Sequence, residues 1–142
     1  MSLASLGLRT SNLTITQASA ELRTTAGVKC RVLELSLIQV TGTAQSLGLG
    51  RPGAQGVTPG TTSTFQRDDS ADPACVTTIS LTFGTSPTAP TTYLRRWNSA
   101  ATIGVGIVWT FPRGVIVPVS ASLVVFNVTT ALACDLNVAV DE

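Results

Sequence analysis

The last third of the chain, residues 102–142, consists of apolar runs in which large side chains occupy every second position. In a strand, successive side chains point to opposite faces, so a period of two residues predicts strands with one buried face. The Pro112-Arg113-Gly114 step separates the first run from the next, and further runs follow at 115–118, 123–128 and 132–140. We expect the rest of the chain to pack against this sheet. The first run places on one face Ile103, Val105, Ile107, Trp109 and Phe111.

A second strong strand is predicted over Val28–Val40, but its pattern changes parity. One face carries Val28, Cys30 and Val32, whereas the other carries Leu33, Leu35 and Leu37. A bulge or bend near Val32-Leu33 is therefore needed to keep all of these apolar groups inward. Shorter strands are predicted at 47–50 and 75–83. About eight strands between turns rich in Gly, Pro, Ser and Thr predict an all-β fold, an antiparallel jelly-roll-like sandwich or barrel.

The first sixteen residues predict an extended N-terminal arm, followed by a single β-sandwich domain over 17–142. The arm docks either on its own domain, as a first edge strand, or on a neighbour. Each buried aliphatic side chain contributes roughly 1.5 to 3 kcal/mol, whereas ordering each residue costs about 1 to 2 kcal/mol. The apolar anchors alone cannot hold the arm, which favours strand addition to a neighbour's sheet edge. The candidate interface residues of the arm are Leu6, Leu8, Arg9, Leu13 and Ile15.

Two loop regions are further candidates for contact with a partner. The segment 51–67, which begins at Arg51 and ends at Arg67, contains two Pro-Gly steps and predicts a long exposed loop. After a Pro-rich loop, Arg95 and Arg96 precede Trp97. Three interpretations of these residues stay open: Arg stems that cover an aromatic side chain, an inter-subunit contact, or a ligand site.

The residue types needed for catalysis are missing. The chain has no His and a single Lys, and Cys30, Cys75 and Cys134 share the parity of their strands' apolar residues, which predicts buried free thiols. Asp68, Asp69 and Asp72 do not follow an EF-hand spacing, so a solvated turn is expected. We therefore expect no enzyme, no metal site and no cofactor.

The net charge and the number of cysteines limit the partners and the cellular compartment that are expected. A net charge of +1 without a basic stretch argues against nucleic acid and anionic membranes, and no apolar run approaches the ~20 residues of a membrane span. The odd cysteine count favours synthesis in a reducing cytoplasm. Charged residues make up only 12% of the chain, which favours burial of sheet edges in a closed homo-oligomer, most simply a homotrimer.

The last third of the chain contains the segments 109–114 (WTFPRG), 115–128 (VIVPVSASLVVFNV) and 135–142 (DLNVAVDE). Together these segments resemble the C-terminal part of small virion proteins of tailed bacteriophages. The resemblance implies a β-rich module of the phage head made in the host cytoplasm, commonly a trimeric decoration (cement) protein on the head surface that binds the major capsid protein. An alternative is a carbohydrate- or receptor-binding jelly roll of a tail or host-attachment apparatus, with Tyr93, Trp97 and Trp109 as stacking groups. A cellular β-sandwich adaptor is a third.

Overall fold

A computed structural model describes residues 2–11, 17–130 and 132–142, in which strands are the only regular elements. All strand pairings are antiparallel. In chain order the strands are β1 (Leu3–Arg9), β2 (Ala18–Arg23), β3 (Cys30–Gln39), β4 (Ser46–Gly50), β5 (Val57–Pro59), β6 (Thr62–Thr64), β7 (Gln66–Arg67), β8 (Thr78–Ser80), β9 (Phe83–Thr85), β10 (Tyr93–Asn98), β11 (Gly106–Val117), β12 (Ser122–Thr130) and β13 (Cys134–Asp141).

The strands form two main sheets that pack face to face. The five-stranded sheet has the order β11-β3-β13-β1-β7, and the six-stranded sheet has the order β10-β4-β12-β2-β8-β6. Each of the first four strands pairs with its counterpart from the chain's second half: β1 with β13, β2 with β12, β3 with β11 and β4 with β10. This folded-over hairpin is the jelly-roll topology. The predicted all-β sandwich is confirmed, and it is not a closed barrel.

The bulge predicted in β3 lies at Leu33. On one side of β3, Val140 pairs with Val32 and Ala139 pairs with Glu34, so Leu33 has no partner. On the other side, the four residues 111–114 of β11 lie opposite that same position. Because of the extra residue, the even-numbered positions of β3 are buried before the bulge and the odd-numbered ones after it.

The core lies between the two sheets and is aliphatic in its centre. Both strands next to β13 contribute to it, and Leu37 of β3 has no solvent exposure at all. The three cysteines belong to this core as free thiols, as predicted. Its largest fully buried aliphatic side chains are Leu37, Leu47, Leu49, Ile79, Leu136, Val32, Val117 and Val140.

The predicted N-terminal arm is largely a strand of the protein's own sandwich. Residues 3–9 form β1, which lies between β13 and β7 and pairs with β13 along its whole length. Leu6 and Leu8 are half-buried and pack on the core. Docking on its own domain therefore holds for this segment, although β7 and not β1 is the outermost strand. Strand addition to a neighbour is wrong for the side of β1 that pairs with β13. Leu13 and Ile15 lie outside the described residues.

Three other predictions need correction. The strand expected over 75–83 is limited to β8, although Cys75, Thr77 and Ile79 are all buried as the alternation required. The first strand predicted in the region 102–142 begins at Gly106 rather than at residue 102. Gly104 turns the chain with φ 84°, and Ile103 beside it is 67% exposed. The loop at 51–67 is not free, because it contains β5, β6 and β7, which pair with β9, β8 and β1.

The side chain of Glu142 fastens the C-terminal end of β13 to the segment that precedes β8. Its carboxylate accepts hydrogen bonds from the Val76 and Thr77 amides at 2.7 and 2.8 Å, from the Thr77 hydroxyl, and from the Cys75 thiol at 3.2 Å. Partial burial raises the pKa of Glu142, but these hydrogen bonds outweigh it, and the pKa lies below its ordinary value of 4.5.

Deletion of residues 2–9 should strongly destabilise the domain, because it exposes one side of β13 and uncovers part of the core. The measurement is thermal unfolding followed by far-ultraviolet circular dichroism. Leu3→Ser is the control, since Leu3 is 49% exposed, and it should change the free energy of unfolding by about 0.5 kcal/mol or less. An unchanged melting temperature of the truncated chain would contradict the placement of β1.

Glu142→Gln should lower stability at neutral pH, because the amide group of Gln cannot accept hydrogen bonds from all four donors. The folded-state pKa of Glu142 is depressed, so its contribution is fully present above about pH 4.5 and is lost as the pH falls through the folded-state value. Urea unfolding of both proteins from pH 7 to pH 3 should show a difference that shrinks with acidification. A difference independent of pH would contradict the role of the carboxylate.

Candidate interaction surface

The outer face of the six-stranded sheet is covered by the chain itself. Gly48 and Gly50 of β4 lack side chains, and the Tyr93 ring and Pro90 fill the space above them. A Cβ atom at Gly50 would lie 2.7 Å from the Pro90 Cβ, so the close approach requires glycine there. Ala18, Val124 and Phe126 form a small second core on the same face with Phe83 and Tyr93 packed against it.

Over another part of this face, a buried ion pair holds the 51–67 segment in place. Glu21 has no solvent exposure, and its carboxylate accepts a hydrogen bond from the Arg23 guanidinium at 2.8 Å. The Gly56 amide donates to the same carboxylate at 3.3 Å, and Arg23 donates to the Gly56 carbonyl. Gly56 belongs to the 51–67 segment, so these hydrogen bonds hold the segment against the outer face of the sheet. Only part of the segment is therefore accessible to a partner.

The outer face of the five-stranded sheet is open. Small side chains occupy its middle, where Gly7 pairs with Asn137 and Ser5 pairs with Ala139. A shallow groove of about 440 Å³ runs over these positions. Its polar lining comes from Ser5, Glu34, Gln66 and Asn137. The centre of the face therefore carries small and polar side chains, whereas exposed apolar side chains lie around it, namely Leu3, Ile38, Val108 and Ile116.

An exposed ion pair borders the groove. Two nitrogens of Arg9 donate to the Asp135 carboxylate, at 2.7 and 3.1 Å, across the β1–β13 pair. The hydrogen bond from Arg9, together with its charge, holds the pKa of Asp135 below its ordinary value of 3.8 and raises that of Arg9. Both side chains are accessible to solvent, so a partner could compete for either of them.

The edge of the five-stranded sheet at β11 is partly protected. The Arg51 guanidinium donates to the Ile116 carbonyl at 3.1 Å, and Arg95 lies 5.4 Å from the centre of the Phe111 ring. Gly106–Thr110 carries no such cover, and Val108 in its middle is 57% exposed. A backbone edge of this kind can pair with another strand.

The structure brings some of the predicted site residues together and separates others. Arg51, Arg95 and Arg96 lie around β10 and β11, and Arg96 stacks 5.5 Å from the Tyr93 ring, which agrees with Arg stems covering aromatic side chains. Trp97 is half-buried and packs on the core. Arg9 lies on the open face, whereas Arg67 lies at the opposite edge and donates to the Asp72 carbonyl.

The groove residues Ser5, Glu34, Gln66 and Asn137 escaped the sequence analysis. Ser5, Glu34 and Asn137 lie on strands with alternating apolar residues and occupy the opposite parity, whereas Gln66 lies on the two-residue strand β7. The signal that could have identified them is this parity, applied to all the paired strands at once. It requires the pairing of β1 with β13, and these strands are separated by more than 100 residues.

Potential metal ligands and thiols can be assessed directly in the structure. No group of three or more potential metal ligands occurs among the described residues. Burial raises the pKa of the Cys30 and Cys75 thiols to about 12 and also raises that of Cys134, so none of them is a thiolate at neutral pH. Across the described ranges, no helix has the length and apolar character needed to cross a membrane.

Comparison with known proteins returns no match: no family model, no curated protein sequence and no solved structure is significantly similar to this chain.

The three thiols should not react with iodoacetamide at pH 8 in the native protein, because they are buried and protonated. Mass spectrometry should find unmodified protein under native conditions and three modified cysteines after unfolding in guanidinium chloride. Rapid modification of one cysteine in the native state would show that its strand end opens.

Proposed function

We propose that this chain is a non-enzymatic structural virion protein, a capsid decoration (cement) protein of a tailed phage that binds the major-capsid lattice. The open face of the five-stranded sheet would supply the contact, and copies of the chain would associate on the lattice as a trimer. The resemblance of the C-terminal third to small virion proteins supports the location, and the jelly-roll topology is compatible with it.

The proposal rests on one difference between the two outer sheet faces, namely whether other parts of the chain cover them. One is covered by Tyr93, Phe83 and the 51–67 segment, whereas the centre of the other displays small and polar side chains with exposed apolar side chains around them. A flat face of this kind suits an extended protein surface better than a small substrate, which needs an enclosed pocket. The buried, protonated cysteines and the lack of histidine also disfavour catalysis.

Binding to particles assembled without this protein tests the proposal. Purified wild-type protein should co-sediment with such particles in many copies. Asn137→Arg together with Ala139→Arg places two bulky cations in the centre of the open face and should reduce binding by roughly tenfold or more. Thr85→Arg, on the covered side of the sandwich, is the matched control and should bind normally.

Two results would refute this function. One is the absence of the protein from purified particles when it is abundant in the lysate of infected cells. The other is normal binding by the variant with both open-face substitutions, provided that circular dichroism shows both variants to be folded.

Glycan binding in a tail or host-attachment apparatus is the second candidate, and the groove favours it. Glu34, Gln66 and Asn137 offer the polar groups that sugar hydroxyls require. All seven aromatic side chains are, however, buried or half-buried, and Trp109 is only 7% exposed. The stacking platform expected of Tyr93, Trp97 and Trp109 is therefore not displayed.

A glycan array separates the two candidates. If the groove binds sugars, Asn137→Ala should abolish the signal and Trp97→Ala should retain it. The absence of any signal would remove this candidate.

A further inference from the structure

The two edges of the five-stranded sheet carry opposite charge. At the β11 edge lie three arginines, of which Arg51 contacts Ile116 and Arg95 contacts Phe111, both on β11 itself. The third, Arg113, is exposed within β11. No ion pair involves these three side chains in the described part of the chain, where the pairs formed are Arg9–Asp135 and Arg23–Glu21.

The opposite edge is acidic. β7 forms this edge, and the turn that follows it contains Asp68, Asp69 and Asp72. The turn is fixed to β1, because the Asp68 amide donates to the Leu3 carbonyl at 2.9 Å and Ser5 donates to the Asp68 carboxylate at 2.7 Å. The only cation in this segment is Arg67, which is held to the Asp72 carbonyl. The segment 66–72 therefore keeps a net negative charge in a fixed position.

The β11 edge also offers backbone groups. Along Gly106–Thr110 only β3 pairs with the strand, and the outer side has no partner among the described residues. These five residues carry no charge, and Val108 is the most exposed of their large apolar side chains. Beyond them the edge is interrupted, since Pro112 has no amide hydrogen and Gly114 has φ 66°. The edge can accept a short extended segment bordered by arginines.

We propose that copies of this chain join head to tail, with the acidic edge (residues 66–72) of one copy against the β11 edge of the next. Charge complementarity selects a second copy as the occupant, because the same chain provides both the cationic and the anionic surface. The net charge of +1 opposes self-association only weakly. Two basic edges or two acidic edges would repel each other, so a two-fold symmetric contact of like edges is disfavoured.

A head-to-tail contact leaves one free edge of each kind on every pair of copies. Addition of further copies continues until the ring closes, and a trimer is the smallest such ring. The contact uses the sheet edges and not the open face, so it is compatible with the proposed attachment to a capsid but does not depend on it.

Charge reversal at each edge tests the contact. Size-exclusion chromatography with light scattering should show the wild type as a closed oligomer, a trimer, whose dissociation constant rises with salt. Asp68→Lys with Asp69→Lys, or Arg95→Glu with Arg113→Glu, should each weaken association roughly tenfold or more at low salt. Thr85→Lys adds a charge away from both edges and should associate like the wild type.

Rescue distinguishes edge complementarity from a general effect of net charge. The chain with all four substitutions keeps the wild-type net charge and has its two edges exchanged in sign, so it should associate again. A mixture of the two double variants should also associate, although each alone does not. Circular dichroism confirms that each variant is folded.

Three results would overturn the proposal: a wild type that stays monomeric at high micromolar concentration and low salt, association that reversal of either edge leaves unchanged, or failure of the fourfold variant to associate although it is folded.

Discussion

The sandwich depends on one extra residue in β3, the strand that pairs with both β11 and β13. Without the bulge at Leu33, the side chains that follow would exchange faces, so Leu35 and Leu37 would point to solvent and Glu34 would point into the core. Burial of that carboxylate without a partner would cost several kcal/mol. Both neighbouring strands adjust to the bulge, β13 by a register shift between Ala139 and Val140 and β11 by four unpaired residues. The central pairing of the jelly roll is therefore built around this irregularity.

The same chain assigns different roles to its two outer sheet faces. On the six-stranded sheet, Gly48 and Gly50 remove the side chains that would keep a third layer away, and the segment around Phe83 and Tyr93 packs into the space. Glu21 and Arg23 hold the 51–67 segment over the remainder. The aromatic and apolar side chains on this face are buried by the cover. What stays accessible is the five-stranded face, whose centre is small and polar, so recognition there has to rely on shape and hydrogen bonding.

Periodicity predicted the parts of the fold in which a strand's own sequence determines its face. The bulge in β3, the buried cysteines and the three C-terminal strands all follow from which positions are apolar. The placement of β1 did not follow, because Leu6 and Leu8 alternate with small residues in a pattern that fits any sheet edge, and its partner β13 is distant in sequence. The candidate interface was only partly predictable for the same reason. The arginines were recognised, but their position around β11 depends on pairings that no local pattern contains.

Several features of the sheet edges limit uncontrolled pairing with other strands. The terminal strands β6 and β7 have only three and two residues, and β10 carries Arg95 and Arg96. On β11, Arg51 and the Pro112–Gly114 interruption protect the second half. Such devices prevent edge-to-edge aggregation, which is a particular risk for a chain with 12% charged residues. Among the described residues, the Gly106–Thr110 part of β11 lacks such protection, and the arginines beside it favour a partner of negative charge.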